Sequence, residues 1–149
     1  MEYAQGTLGR VFVVRLNDGE RLPEALETFA REQEIREALV IFIGGAKSGS
    51  RLVVGPDAHR PEAIVPLVHT LAGIQEVAGV GTLFPNEEGE PVLHLHAACG
   101  REGGATVGCT RAGVEVWLVG EVIILELLGT GGVRRPEPPS GFQLLRLKT

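Results

Sequence analysis

The chain has 149 residues, 44% of them hydrophobic, a formal net charge of −5 and two cysteines. A chain of that length buries enough surface to fold without a disulfide or metal staple, so residues 1–149 read as one domain. The acidic balance supplies no basic face for neutralising phosphates, which argues against duplex nucleic acid as a partner; the longest apolar stretch, Val114 to Leu128, is broken by Glu115, Glu121 and Glu126 and is too short to span a bilayer.

Leu8 to Leu16 is rich in β-branched and aromatic residues and runs into Asn17-Asp18-Gly19, which predicts a strand ending in a turn. Leu22, Ala25, Leu26, Phe29 and Ala30 then recur at helical spacing behind Pro23. Glu24 and Glu27 come early and Arg31 and Arg36 late, in the order the helix dipole favours. Ala38 to Ile43 is apolar throughout and stops at Gly44-Gly45, which predicts a strand covered on both faces. Beyond it, short apolar segments alternate with glycine or proline turns: Arg51–Val54, Ala63–Leu71, Ile74–Phe84, Pro91–Ala98, Ala105–Thr110, Val114–Leu118, Glu121–Leu128 and Phe142–Leu147. Pro136-Glu137-Pro138-Pro139, next to Arg134-Arg135, reads as an exposed extended linker. One helix followed by many strands implies an α+β fold: a mainly antiparallel, curved sheet with one principal helix packed on it.

The constellation with chemical potential is His94, His96 and Cys109. His94 and His96 alternate with apolar residues in Val92-Leu93-His94-Leu95-His96-Ala97, so both imidazoles leave one face of a strand. Gly100-Arg101-Glu102-Gly103-Gly104 is a turn signal, and Ala105 to Cys109 can return antiparallel. A six-residue loop sets Cys109 opposite His94 and a four-residue loop sets it opposite His96. Either register puts the thiol on the histidines' face, where opposed Cβ atoms lie about 4.5–5.5 Å apart. Two imidazoles and a thiol form a transition-metal ligand set; the alternatives are a nucleophilic Cys109 thiolate beside histidine and, most blandly, two ordinary strand histidines and a small core cysteine.

The remaining candidates are weaker. Gly44 to Ser50 follows a strand as a phosphate loop does, but lacks the G-x-x-x-x-G-K-[ST] spacing and a following helix, so it reads as a connection. His59 and His69 read as surface or turn residues, and His69 reaches the site only if its strand neighbours the hairpin. Glu76 and Glu121, inside apolar strands, are explained by an exposed sheet face. Two cysteines ten apart and no basic-plus-apolar leader at the start point to a reducing cytoplasm, with a Cys99–Cys109 bridge the less favoured alternative.

Together these segments resemble the plant- and prokaryote-conserved (PPC) domain, the module that follows the AT-hook in plant AT-hook nuclear proteins and occurs alone in prokaryotes. The resemblance spans nearly the whole chain. It rests on Arg15-Leu16-Asn17-Asp18-Gly19-Glu20 leading into the helix, Ile43-Gly44-Gly45-Ala46, Glu76-Val77-Ala78-Gly79-Val80-Gly81 and His94-Leu95-His96-Ala97. Gly108-Cys109 with Gly113, Gly120-Glu121-Val122-Ile123-Ile124 and Ser140-Gly141-Phe142-Gln143-Leu144-Leu145 complete it. It implies a homotrimer with a zinc-like ion near a subunit boundary. His94 and His96 match the family's two histidines, and Cys109 stands where a third histidine is usual, a replacement within the zinc ligand set. Bacterial members are described as DNA-binding, yet this chain carries no R-G-R-P hook to place arginines in a minor groove.

The expectation is therefore a non-enzymatic, homotrimeric, metal-holding domain that works through protein or DNA association. The rival is a metal-dependent hydrolase with a water on the fourth ligand position and Glu76 as general base.

Overall fold

Residues 1–57, 64–138 and 142–147 are described by the computed structural model, and they carry one α-helix and eleven strands. In chain order these are β1 (Thr7–Asn17), β2 (Arg21–Leu22), α1 (Glu24–Glu32), β3 (Ala38–Ala46), β4 (Arg51–Pro56) and β5 (Pro66–Thr70). They continue with β6 (Gln75–Pro85), β7 (Pro91–Arg101), β8 (Gly104–Cys109), β9 (Val114–Leu128), β10 (Val133–Glu137) and β11 (Phe142–Arg146). The order across the main sheet is β1-β9-β3-β6-β7-β8-β4-β5, antiparallel throughout, with β2 also on β9; β10 and β11 form a separate ribbon. The expected α+β fold, a mostly antiparallel curved sheet with a single helix, is the one formed. No helix among the described residues is long and apolar enough to cross a membrane.

Alternation fixes the two faces of the sheet. On the inner face Val40, Phe42, Leu83, Leu93, Leu95, Ala97, Val122 and Ile124 are buried, and Leu26 and Ala30 of α1 pack into the same core. The outer face is open and largely apolar. Val13, Ile123, Ile41, Val80, His96 and Cys109 are successive direct cross-strand partners over six strands. Val13 and Val80 are 78% and 59% exposed, so this row is surface rather than core until it reaches Cys109, which is buried.

Four local readings change. β3 is covered on its inner face only, because Ile41 and Ile43 belong to the open outer row and its flank. It also passes through Gly44-Gly45 to Ala46, since these glycines let β9 lie close: a Cβ on Gly44 would come 2.5 Å from the Val119 carbonyl oxygen. The segments 114–118 and 121–128 fuse into β9, whose register shifts where Leu118 takes a positive φ of 63° and donates its N–H to Asp18. Finally, Pro136 and Glu137 of the expected 136–139 linker belong to strand β10, with Arg134-Arg135 beside them; Pro139 lies outside the described residues. Pro136 is accommodated because a two-stranded ribbon leaves edges on which a missing N–H costs nothing.

β2 is not among the predicted segments, since Leu22 belongs to the helical spacing yet the helix begins only at Glu24, nor is the 3₁₀ segment at Thr110–Ala112. The remaining elements match the segments predicted for them, with shifted ends; Ala63, at the start of the β5 segment, lies outside the described residues, as does His59.

Candidate metal centre

β7 and β8 are joined by a two-residue turn, Glu102-Gly103, with φ of 53° and 82°, as a tight hairpin turn requires. Its register pairs Arg101 with Gly104 and hence His96 with Cys109, the register of the shorter of the two predicted loops. β8 must also meet β4, where Cys109 pairs with Val53. Gly108 makes that approach possible, because a Cβ there would lie 2.6 Å from the Val53 carbonyl oxygen. Just beyond, the chain turns into a 3₁₀ segment at Thr110–Ala112. The buried Thr110 hydroxyl donates to the Leu95 carbonyl at 3.2 Å, pinning the thiol's neighbour to the peptide between the two histidines.

The donor atoms of His94, His96 and Cys109 all lie within 4.8 Å of one another. The two Nε2 atoms are 3.1 Å apart and the rings meet edge to face. Tetrahedral zinc, with Zn–N of about 2.0–2.1 Å and Zn–S of about 2.3 Å, separates two nitrogens by about 3.3 Å and a nitrogen from a sulfur by about 3.5 Å. The pair of nitrogens is thus already at ligand spacing and the sulfur is within a side-chain adjustment of it. Burial, then Arg134, His96 and Arg111, push the His94 imidazolium down from its ordinary value, favouring the neutral ring that a metal needs.

Cys99 takes no part. It projects to the inner face, three residues of parity away from the histidines' side, and both cysteines are free thiols. Burial pushes the Cys99 thiol up to about 11. His69 pairs with Leu52, one position off the Val53–Cys109 row, and so faces away from the site into a separate depression with Cys99 and Gln75. Glu76 shares the outer face but pairs with Gly100, and at about 3.4 Å per residue it stands on the order of 13 Å along β6 from the partner of His96. Lys47, in the former phosphate-loop candidate, is held by Asp18 at 3.1 Å and Glu115 at 2.8 Å.

The three donors open onto a cleft of about 560 Å³ walled by the β10–β11 ribbon. Sequence reasoning missed the rest of its lining, which includes Glu27, Arg111, Arg134 and Phe142. Glu27 accepts the Leu93 N–H at 2.9 Å, and burial raises its carboxyl above the ordinary value. Arg111 lies over the Phe142 ring at 5.2 Å from the centroid. The helical spacing placed Glu27 on a polar face; nothing local to the chain told which strand that face would meet.

A curved antiparallel sheet with one helix and a His-x-His strand at a cysteine-bearing hairpin defines a β-rich module built around a surface donor cluster. The chain belongs to the Plants and Prokaryotes Conserved (PCC, or PPC) domain family, whose model matches residues 3–128. Among solved structures it is similar to a metal-containing protein from Archaeoglobus fulgidus, at a TM-score of 0.83 and 23% identity over 97% of this chain and 98% of that one. It is also similar to a plant- and prokaryote-conserved protein from Pyrococcus horikoshii, at a TM-score of 0.82 and 26% identity over the full length of both. A curated relative, the bifunctional protein GlmU of Synechococcus sp. (strain JA-3-3Ab), is 26% identical over 141 residues; these are 93% of this chain and 21% of GlmU, so the chain spans about a fifth of that relative's length.

Proposed function

We propose that residues 1–149 act as one PPC-type domain that holds a divalent metal, zinc first, on His94, His96 and Cys109, assembles as a homotrimer, and works through protein or DNA association. The observation that carries this reading is the convergence of three donors, from two strands, within 4.8 Å. The donor chemistry fits: two imidazoles and a thiolate give one negative charge to a dication and leave a fourth tetrahedral position open. A metal-containing structural relative supports it. Bound there, the ion would lock β7 to β8 and stiffen the outer face. The apolar row from Val13 to Cys109 supports self-association, since it gives copies of the chain a surface to bury beside the ion. Metal analysis of tag-free protein tests the reading: about one zinc per chain is expected, falling at least tenfold in His96→Ala and Cys109→Ser, and unchanged content in both variants would refute it.

DNA is the less favoured partner. Solved relatives carry provisional DNA-binding descriptions, against which stands a net charge of −5. A retardation complex that weakens steeply with salt would establish it; none at low salt would end it. An enzymatic reading is favoured by one observation, a half-buried carboxyl, Glu27, in the donors' cleft, which replaces Glu76 as the candidate base. It requires hydrolysis of an ester, amide or phosphate by zinc-loaded protein that disappears in His94→Ala.

A further inference from the structure

We propose that the cleft beside His94 binds a small organic anion, its carboxylate on the guanidinium of Arg134 and its apolar body along Val92, Phe142 and Leu144. Arg134 is 3% exposed. Its Nη2 donates to the Thr82 hydroxyl at 2.9 Å, and Thr82 is the direct cross-strand partner of His94. Its Nε is buried with no hydrogen-bond partner, and no carboxylate among the described residues forms an ion pair with it. The adjacent Arg135, by contrast, is exposed and paired with Glu87.

An arginine keeps its charge in a protein interior, and this guanidinium has the Thr82 hydroxyl and carbonyl, the face of Phe84 and the Cys109 sulfur near it but no carboxylate among the described residues, so an anion that neutralises it is stabilising. Its place on the wall of an open cleft supplies the opportunity. Arg111 adds a second guanidinium on the same cleft, whereas the one carboxylate among the described residues that line it, Glu27, is engaged by the Leu93 N–H. In a chain of net charge −5 this is a local concentration of positive charge. About 560 Å³ lies within the usual range of small-molecule sites, roughly 300–1,000 Å³, and the apolar wall favours an organic anion over inorganic phosphate. The guanidinium's flat fork matches a carboxylate. Arg134, Phe142 and Leu144 all belong to the C-terminal ribbon, beyond residues 3–128 of the family model but within the full-length match to the Pyrococcus horikoshii protein.

The site shares its cleft with the metal proposed above but rests on Arg134, so the test runs on metal-free and zinc-loaded protein alike. Calorimetric titration with hexanoate, acetate, hexanamide and inorganic phosphate should show hexanoate binding metal-free protein at least tenfold more tightly than the other three. Arg134→Met should lose at least tenfold of hexanoate affinity while melting no lower than the parent, because it removes an unpaired buried charge. Arg134→Lys should fall between the two. Hexanoate should shift the methyl resonances of Val92 and Leu144 in the parent protein, a readout that needs no variant to fold. The proposal is overturned by hexanamide or phosphate matching hexanoate, by shifts located elsewhere, or by affinity retained in a folded Arg134→Met. It is equally overturned if Arg134→Met abolishes self-association while the parent binds no hexanoate, which would assign the guanidinium to a second copy of the chain. Failure of the metal reading would leave the metal-free titration intact.

Discussion

A thiol at position 109 brings to the donor cluster a charge that a third imidazole would not, so replacement by serine and by histidine should differ. Cys109→Ser is expected to lose zinc by at least an order of magnitude, whereas Cys109→His should keep about one ion per chain, as read by metal analysis after gel filtration. Thr110 is the subtler position. Thr110→Val is nearly isosteric but leaves the Leu95 carbonyl without its buried donor, and should cost about 1–3 kcal/mol in urea denaturation. At this scale the sequence was legible where parity alone decides. His94 and His96 share a face by spacing, and Cys109 joins them in either of two registers. Arg134 was not legible, because a basic pair beside prolines looks like solvated linker; its burial arises only when β10 crosses Phe84 and Thr82, some fifty residues away in the chain.

Among the elements, the β7–β8 hairpin does most to assemble the centre, and its register was readable only to within two alternatives, because a turn signal and two short apolar runs leave few ways to pair. The strand order was not readable. Which of several similar apolar segments lies beside β3 is decided by long-range packing, and the fit of β9 against Gly44 and of β4 against Gly108 depends on side chains that are absent. Gly108→Val should therefore drive β4 away from β8 and displace the thiol, lowering zinc content together with thermal stability, while Gly103→Ala, in open space but at φ 82°, should cost only about 1 kcal/mol of turn strain. The C-terminal ribbon hangs on Glu37, whose buried carboxylate accepts the Thr130 hydroxyl at 2.7 Å and the Gly132 N–H at 3.1 Å. Glu37→Leu should free the 129–132 connection, seen as new proteolytic cleavage there before any global unfolding.

For the molecule as a whole, charge and face determine behaviour with pH and concentration. Glu126 is buried and grips Arg10 through both carboxylate oxygens, at 2.7 and 2.8 Å; that contact and the Arg10 N–H hold its carboxyl at about 2. A carboxyl depressed by folding stabilises fully above its ordinary value near 4.5 and loses that contribution as pH falls toward 2. Glu126→Gln should accordingly be less stable than the parent at pH 7, and the gap in urea midpoint should close between pH 4.5 and 2. On the outer face, Val13→Glu alters a side chain that is 78% exposed and lies four strands from His96; it should leave the melting temperature within a few degrees while reducing the assembled species in sedimentation. The same cross-strand row carries a consequence for exchange. Its apolar members run without a break into two of the three donors, so a copy that settles on the row also stands in the path of a chelator. Dilution should then quicken the loss of zinc to EDTA, and a subunit that comes away should surrender its ion first.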